Sequence, residues 1–237
     1  MARTRSTGWL SVTPSEGTGQ GQLTYSAIEA NNGRNARTKV SEVTGDGGDV
    51  CEVTVNQSGR NLYVYFDPVQ YSTSNSGGQV PITGHTNALS LTFAASSDTD
   101  NIMTIDTNGY KSSTDGGDTW SVNYIANGSG PANDPGGSQD WEFKIAVAIA
   151  STTGTTDSVA RLRVTASDGV GTESTTTSGT NPDATITRYG AEGSTEISNA
   201  SNGPWGDEVT ITLGWQEGST NNVYVNSNEH WEVTIDG

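Results

Sequence analysis

The run Trp9-Leu10-Ser11-Val12-Thr13-Pro14 decides how the first quarter of the chain is expected to fold. Its apolar residues alternate with hydroxyl-bearing ones, as in a strand with one buried face, and proline ends the pattern because it has no backbone N–H to donate. Alternation returns at residues 22–30, 38–44 and 50–56, with glycine- and asparagine-rich turns between them. Four strands at this spacing predict a small β-sandwich over residues 8–59, and the Asn32-Gly33 pair predicts a hairpin between the second and third strands.

The composition extends this prediction to the whole chain. Thirty of the 237 residues are glycine, and only 31% are hydrophobic. Abundant serine, threonine and asparagine favour short strands and turns over helices. The apolar residues cluster in alternating segments instead of being spread evenly, which favours a folded chain over a disordered one. We therefore predict an all-β protein of tandem immunoglobulin-like β-sandwich domains.

The predicted domains are residues 1–66, a linker at 67–80, where Ser, Asn and Gly accumulate, and a larger acidic sandwich at 81–237. The order of signals from Trp120 onward resembles the order from Trp9, which predicts an internal repeat with an offset of 111 residues. Chance similarity between two Ser-, Thr- and Gly-rich stretches is the alternative. The last strands are expected to extend the second sandwich or to pair with a neighbouring subunit.

The net charge of −16 is unevenly distributed along the chain. Residues 1–60 hold six basic and six acidic side chains, whereas residues 61–237 hold five basic and 21 acidic ones. The acidic part should repel nucleic acid and anionic membranes. It predicts a soluble, non-adhesive surface, with a divalent cation or a basic partner as the alternatives.

The single cysteine, Cys51, excludes an internal disulfide and is expected to be a buried residue of a strand. The first residues have no apolar core typical of a secretory signal, and no run of about 20 apolar residues predicts a membrane span. If Met1 is the natural start, the protein is expected to be made in the host cytoplasm and not secreted.

Several signals of the first quarter occur together in a known family. They are Trp9-Leu10-Ser11-Val12-Thr13-Pro14, Gly17 with Gly19, Asn31-Asn32-Gly33 with Arg37-Thr38, and Val53-Thr54-Val55-Asn56-Gln57. This order resembles the BACON family of Bacteroidetes immunoglobulin-like domains, over about a fifth of the chain. Members usually carry one or two earlier strands that are missing here, so the N-terminal tail, the later domain or another subunit is expected to cover that edge.

The segment Ser113-Thr114-Asp115-Gly116-Gly117-Asp118-Thr119-Trp120 matches the Asp-box signature Ser-x-Asp-x-Gly-x-Thr-Trp. It is similar to the hairpin turns of sialidases and other β-propellers, where the motif is structural. The resemblance implies that the aspartate accepts turn N–H groups, that the glycines permit the bend and that the tryptophan anchors the turn. The motif occurs once, so a propeller glycosidase is not expected.

Chemistry-bearing residues are sparse. The two histidines, His85 and His230, form no triad pattern with a particular serine, and no pair of carboxylates stands out, so we predict no enzyme activity and no cofactor. The acidic turns at residues 98–101, 115–118 and 133–134 have oxygen ligands for Ca²⁺, but turn chemistry alone accounts for them, and no metal is predicted. Exposed aromatic rings are the remaining candidates for sugar stacking: Tyr63, Tyr65, Trp141, Trp205 and Trp215. Trp205, in a Gly- and Pro-rich loop, is the best of them.

The resemblance implies a non-enzymatic structural protein of a phage virion, because such domains are found in virion proteins of phages of Bacteroidetes, including crAss-like phages. We expect a capsid decoration or head auxiliary protein that docks through Arg3, Arg5 and Trp9 and turns its acidic domain outward. Its partners would be capsid proteins and further copies of itself. The rival interpretation is a carbohydrate-binding module or surface adhesin, with a host-surface glycan at Trp205.

Overall fold

The computed structural model describes residues 4–193, 195–211, 213, 219–227, 231–233 and 235. In order, the strands are β1 (Arg5–Thr7), β2 (Leu10–Thr13), β3 (Thr24–Ala27), β4 (Arg37–Thr44), β5 (Val50–Gln57), β6 (Val64–Phe66), β7 (Gln70–Thr73), β8 (Gly78–Thr86), β9 (Ser90–Asp98), β10 (Met103–Ser113), β11 (Trp141–Ile149), β12 (Ser158–Ser167), β13 (Thr172–Ser174), β14 (Ala184–Arg188), β15 (Thr195–Ser198) and β16 (Tyr224–Ser227). The described residues contain one short 3₁₀ turn, Pro135–Gly137, and no α-helix. The predicted all-β class is confirmed. No helix in the described ranges has the length and hydrophobicity needed to cross a bilayer.

Strands β6 to β14 form a two-layered β-sandwich. One sheet has the order β10-β11-β8-β6. In the other, β12 pairs with β9, β13 and β14, and β14 pairs in parallel with β7. Strand β11 alternates buried and half-buried residues over its whole length, as expected for a strand with one face on the core.

A cluster of aromatic rings fills one end of the core. Trp141 lies parallel to Tyr110 at 6.2 Å between ring centroids, and its indole N–H donates to the carbonyl of Ala88 at 3.0 Å. Phe143 meets Phe66 and Phe93 edge-on at 5.7 and 5.4 Å. Such pairs contribute about 0.5–1.5 kcal/mol each beyond their buried area. Trp141, a sequence candidate for sugar stacking, is therefore a core residue, with only 2% of its surface exposed.

The predicted linker at 67–80 is not a linker. Strand β7 lies within it and pairs with β14, and β8 begins at Gly78 and pairs along its whole length with β11. Strand β6, placed by sequence in the first domain, pairs with β8. The Ser-, Asn- and Gly-rich segment 72–78 is a tight turn between two sandwich strands, because such residues satisfy turn backbone groups as readily as they loosen a linker.

Residues 4–60, here called the N-terminal unit, contain the four strands predicted by sequence, now β2 to β5, and β1 from the tail. Strands β1, β2 and β3 form one sheet, and β4 and β5 form a separate hairpin. The tail strand β1 pairs with one edge of β2. The N-terminal tail was one of the three segments that the sequence indicated as candidates to cover this edge. Leu10 is the only hydrophobic residue in this unit with less than 9% of its surface exposed, so the expected self-contained sandwich has almost no core. Cys51 is correspondingly exposed and not buried.

The turn at residues 31–35 is not the hairpin that Asn32-Gly33 predicted. Strand β3 pairs with β2, and β4 pairs with β5, so the turn crosses between two sheets. It lies on the sandwich, where a Cβ atom at Gly33 would come within 2.3 Å of the Ser138 backbone. Only glycine permits this close approach.

Asn87 is the centre of this contact and is completely buried. Its side-chain amide donates to the carbonyl oxygens of Asn32, Arg60 and Asn61 at 3.3, 3.3 and 3.1 Å. Its side-chain oxygen accepts from the backbone N–H of Tyr63 at 3.1 Å. A single side chain of the sandwich therefore satisfies backbone groups on the turn at residues 31–35 and on residues 60–63, where the chain passes from the N-terminal unit to the sandwich.

Arg34 reinforces the junction from the other side. Its Nε donates to the Asn87 carbonyl at 2.5 Å, and its Nη2 forms an ion pair with Asp134. The backbone N–H groups of Arg34 and Asn35 donate to the carbonyls of Gly136 and Gly137, both at 2.9 Å. The N-terminal unit is thereby fixed to the sandwich by hydrogen bonds instead of by a hydrophobic interface.

The predicted internal repeat is matched only in part. Strands β4 and β5 pair antiparallel, and so do their proposed counterparts β12 and β14. Strand β3 pairs with β2, whereas its proposed counterpart β11 pairs with β8 and β10. Trp120, the proposed counterpart of Trp9, lies in a loop that no strand follows directly. The shared order of sequence signals therefore does not extend to a shared topology.

Near the C-terminus, β15 pairs with β16 and, among the described residues, with neither sheet of the sandwich.

A buried carboxylate, that of Asp183, links residues of β9 and β12 in the second sheet. Asp183 is 1% exposed and receives bidentate hydrogen bonds from Arg163 at 3.2 and 2.9 Å. Thr175 and Ser96 donate to it at 2.7 and 2.9 Å. Ser96 reaches it because the pairing of β9 with β12 shifts by one residue at this point. Burial would raise the pKa of Asp183, but these hydrogen bonds and the Arg163 charge outweigh it and hold the pKa below its ordinary value.

We predict that Asp183→Asn lowers the free energy of unfolding by about 2 kcal/mol at neutral pH, because an amide leaves the hydrogen-bond donors around it poorly satisfied. A carboxyl with a lowered folded pKa stabilises the fold above its ordinary pKa, and this stabilisation disappears as the pH falls through the folded pKa. The free energy of unfolding of the variant should therefore decrease less between pH 7 and pH 3 than that of the unaltered chain. Urea unfolding from pH 7 to pH 3 measures both effects. Asp118→Asn, at an exposed turn carboxylate, is the matched control, and equal unfolding of the two variants would contradict the account.

Candidate functional site

The predicted docking residues lie on the sheet of the N-terminal unit. Arg5 is exposed on β1, opposite Val12, and Trp9 occupies the turn between β1 and β2, where it is half-buried. Arg3 lies outside the described residues. The structure therefore places Arg5 and Trp9 on one hairpin.

Two basic residues that the sequence did not indicate as docking residues hold this hairpin. The Arg37 guanidinium lies 4.9 Å from the centroid of the Trp9 ring, and its Nε donates to Gln57 Oε1 at 2.7 Å. Lys39 donates to the carbonyl of Thr7 at 2.6 Å. Arg37 and Lys39 are two residues apart, so their side chains lie on the same face of β4. This period-two spacing was the sequence signal that could have identified them. These contacts connect the two small sheets in place of a core.

Exposed apolar residues mark the rest of the N-terminal unit. They are Leu23, Ile28, Val40, Val43 and Val50, each between 39% and 54% exposed. Neither β4 nor β5 has a second strand partner among the described residues, so both edges of this hairpin present unpaired backbone groups. Apolar side chains and open strand edges are what a strand-adding partner requires.

The Asp-box forms the turn that its sequence predicted. Asp115 Oδ1 accepts from Ser113 Oγ at 2.6 Å and from the Thr119 N–H at 2.9 Å, and Oδ2 accepts from the Thr119 hydroxyl at 2.5 Å. Gly116 and Gly117 both have positive φ, at 76° and 81°, which explains the glycine pair. Trp120 is half-buried at the surface and does not enter the core. The motif is a self-contained turn that carries an indole ring.

A basic and aromatic surface lies beside this turn, on the outer face of the first sheet. Lys111 on β10 stands directly opposite Lys144 on β11. The Lys144 Nζ lies 4.3 Å from the Trp120 ring centroid, and the Lys111 Nζ lies 5.0 Å from that of Tyr124. We call these four residues the lysine–aromatic patch.

A row of stacked rings borders the same face. Tyr63 and Tyr65 lie 6.0 Å apart, and Tyr65 and His85 lie 5.1 Å apart, with planes within 22° of parallel. The Arg60 guanidinium covers Tyr63 at 3.8 Å. Burial, together with the nearby Asp140 carboxylate, raises the pKa of the Tyr63 phenol. The ring faces are largely occupied by one another, so this row is a poor platform for a sugar.

The other sequence candidates are dispersed. Trp205 is half-buried in the loop after β15, next to Gly203, and no other predicted site residue accompanies it. Trp215 and His230 lie outside the described residues. His85 Nδ1 lies 3.7 Å from Glu142 Oε1. In the described ranges, no three His, Cys, Asp or Glu side chains converge as a metal site would require. Glycan binding at Trp205 stays a prediction.

Comparison with known proteins gives little resemblance. No family model matches the sequence, and no curated protein matches it. Among solved structures, the chain is similar to the collagen-binding domain of the Erysipelothrix rhusiopathiae surface protein RspB, at 6% identity and a TM-score of 0.26. The alignment covers 77% of this chain and 65% of that one, so less than two thirds of the neighbour's length is spanned. Membership of the BACON family stays a prediction.

We expect the Asp115 carboxyl to titrate well below the ordinary pKa of an aspartate. The hydrogen bonds from Ser113 and Thr119 lower its pKa from 3.8 to about 2. Because the folded pKa is lowered, the carboxylate stabilises the turn above pH 3.8, and that contribution is lost only as the pH falls through about 2. Carboxyl ¹³C NMR measures the midpoint directly. A midpoint near 4 for Asp115 would contradict the hydrogen-bonded turn, and Asp118→Asn should leave the midpoint unchanged.

Proposed function

We propose that this protein is a non-enzymatic structural component of a phage virion, a capsid decoration or head auxiliary protein that docks through its N-terminal unit. The observation that carries the proposal is the exposed apolar surface of a unit that has no core of its own. Folded domains seldom leave strand edges and large apolar side chains open together unless a partner covers them. The BACON resemblance of the same residues supports a virion as the setting.

The charge distribution supports the orientation. Residues 1–60 carry no net charge, whereas residues 61–237 carry the whole −16. A neutral unit approaches a protein shell without long-range repulsion, and acidic sandwiches on neighbouring copies repel one another. The neutral unit therefore faces the shell, and the acidic sandwich faces outward.

The hydrogen bonds between the N-terminal unit and the sandwich support a fixed orientation of the sandwich relative to the shell. Asn87, Arg34 and Asn35 join the two parts by six hydrogen bonds from their side chains and backbone groups. A docked N-terminal unit would then hold the sandwich at a defined angle instead of on a flexible tether.

The proposed mode of docking is the addition of a strand to a sheet of the shell protein. An exposed strand such as β5 adds to a sheet edge of the shell protein through backbone hydrogen bonds, while Val40 and Val50 on one face of the hairpin fill apolar contacts. Arg5 and Trp9, on the neighbouring hairpin, then contact the same partner. Further copies of this chain are the second partner that such an edge admits.

We expect Val40→Glu to reduce binding to capsids of the encoding phage at least tenfold, because a charge on the docking face would be desolvated. Co-sedimentation of the purified chain with capsids that lack it measures the bound fraction. Val159→Glu is the matched control, since Val159 is similarly exposed, at 43%, on the outer face of the sandwich.

Removal of residues 1–7 tests the contribution of Arg5 and β1 to the same interaction. Binding should weaken, because the hairpin that carries Trp9 loses its first strand. If both the truncated chain and the Val40→Glu chain bind capsids like the unaltered protein, the N-terminal unit is not the docking surface.

A further inference from the structure

The lysine–aromatic patch concentrates positive charge in the acidic part of the chain. Residues 61–237 hold only five basic side chains, and two of them, Lys111 and Lys144, are direct partners across β10 and β11. Like charges directly opposite each other on neighbouring strands are destabilising. In the described part of the chain, no carboxylate oxygen lies within 4.0 Å of either ammonium group. The fold therefore carries an electrostatic cost here that no internal ion pair offsets.

The neighbouring acid does not neutralise the pair. Glu142 precedes Lys144 by two residues on the same face of β11, but its ion-pair partner is His85, at 3.7 Å. The two ammonium groups are instead positioned by rings, Trp120 from the Asp-box turn and Tyr124 from the segment after it. Cation–π contacts leave the charge of an ammonium group available to an anion.

An open groove of about 560 Å³ adjoins the patch. It shares Tyr124 with the patch, and that ring is 50% exposed. Hydroxyl and amide side chains line part of it, among them Ser121, Asn123, Ser129 and Asn133, and apolar side chains line the rest, among them Val122, Ile125, Pro131 and Pro135. Such a lining offers hydrogen bonds to sugar hydroxyls and apolar surface against which a sugar ring can pack.

The backbone beside the groove is already paired. The N–H and C=O of Tyr110 both bond to Ile125, and the Ser121 N–H donates to the Ser112 carbonyl. The segment 121–125 thus covers the edge of β10, and a peptide cannot add there as a further strand. Recognition at this surface must use side chains.

We propose that the lysine–aromatic patch and its groove bind an acidic polysaccharide. A carboxylate or sulfate group lies between the Lys111 and Lys144 ammonium groups, a sugar ring packs beside Tyr124, and sugar hydroxyls bond to the side-chain amide of Asn123. The site uses no residue of the N-terminal unit, so it is independent of capsid docking. On a particle it would face outward and contact an acidic glycan at the host surface.

Affinity electrophoresis of the full chain tests the proposal with four immobilised probes: polygalacturonate, dextran sulfate, neutral dextran and polyglutamate. We expect retardation by polygalacturonate or dextran sulfate, with the stronger of the two identifying carboxylate or sulfate as the recognised group. Retardation should decrease with added salt, because the contact is ionic.

The Lys111→Gln/Lys144→Gln chain should bind at least tenfold more weakly, whereas Lys111→Arg/Lys144→Arg should keep most of the affinity. Arg161→Gln removes a positive charge from the other sheet and should bind within twofold of the unaltered chain, and circular dichroism checks that each variant is folded. The proposal fails if neither polyanion retards the chain, if the double Gln variant binds as tightly as Arg161→Gln, or if dextran or polyglutamate binds equally well. Because capsid co-sedimentation is measured separately, failure here leaves the docking proposal intact.

Discussion

The buried side chain of Asn87 is the point on which the arrangement of this protein depends. Its side-chain amide and carbonyl satisfy four backbone groups, one on the turn at residues 31–35 and three on residues 60–63, where the chain leaves the N-terminal unit, at a site that water does not reach. An unpaired polar group there would cost about 1–3 kcal/mol, so the two parts are joined by a requirement for polar satisfaction. Hydrophobic area makes little contribution, since Leu10 is the one buried hydrophobic residue of the N-terminal unit.

The consequence is a chain with two kinds of surface. The sandwich buries its aromatic cluster and exposes a charged exterior, so it is stable and repels its own copies. The N-terminal unit has no such core and exposes valines at an open strand edge. The buried core and the exposed apolar surface therefore belong to different parts of one chain, and the junction joins them by hydrogen bonds.

Most strands could be predicted from the sequence, because alternation of period two depends only on local geometry. Strands β2, β4 and β5 match their predicted segments within one residue at each end. Pairing could not be predicted in the same way. The Asn32-Gly33 turn has the local chemistry of a hairpin, but the close approach of Gly33 to Ser138, distant in sequence, makes it a crossover. The domain boundary failed for a similar reason, since the partners of β6 and β7 lie up to 115 residues further along the chain.

The candidate surfaces were likewise predictable from the sequence only where they depend on local patterns. Arg5, Trp9 and the Asp-box were found from local patterns, and the hydrogen bonds of Asp115 confirm the turn chemistry. Alternation predicts which residues share a face, but it assumes that the apolar face is covered. Val43 and Cys51 share the face of the β4–β5 hairpin that bears Lys39, yet they are exposed because the opposing sheet is too small to cover them. The opposition of Lys111 and Lys144 depends on strand register, which no single segment encodes.

The central claim is that the N-terminal unit has no independent core and is ordered by its junction with the sandwich. Hydrogen exchange of the full chain, followed by mass spectrometry, tests it most directly. The account predicts that amides of β11 and β12 exchange only by global unfolding, while those of β2 to β5 exchange at least roughly tenfold faster through local opening. Equal protection of the two parts would show that the N-terminal unit has a stable core of its own and would contradict the account.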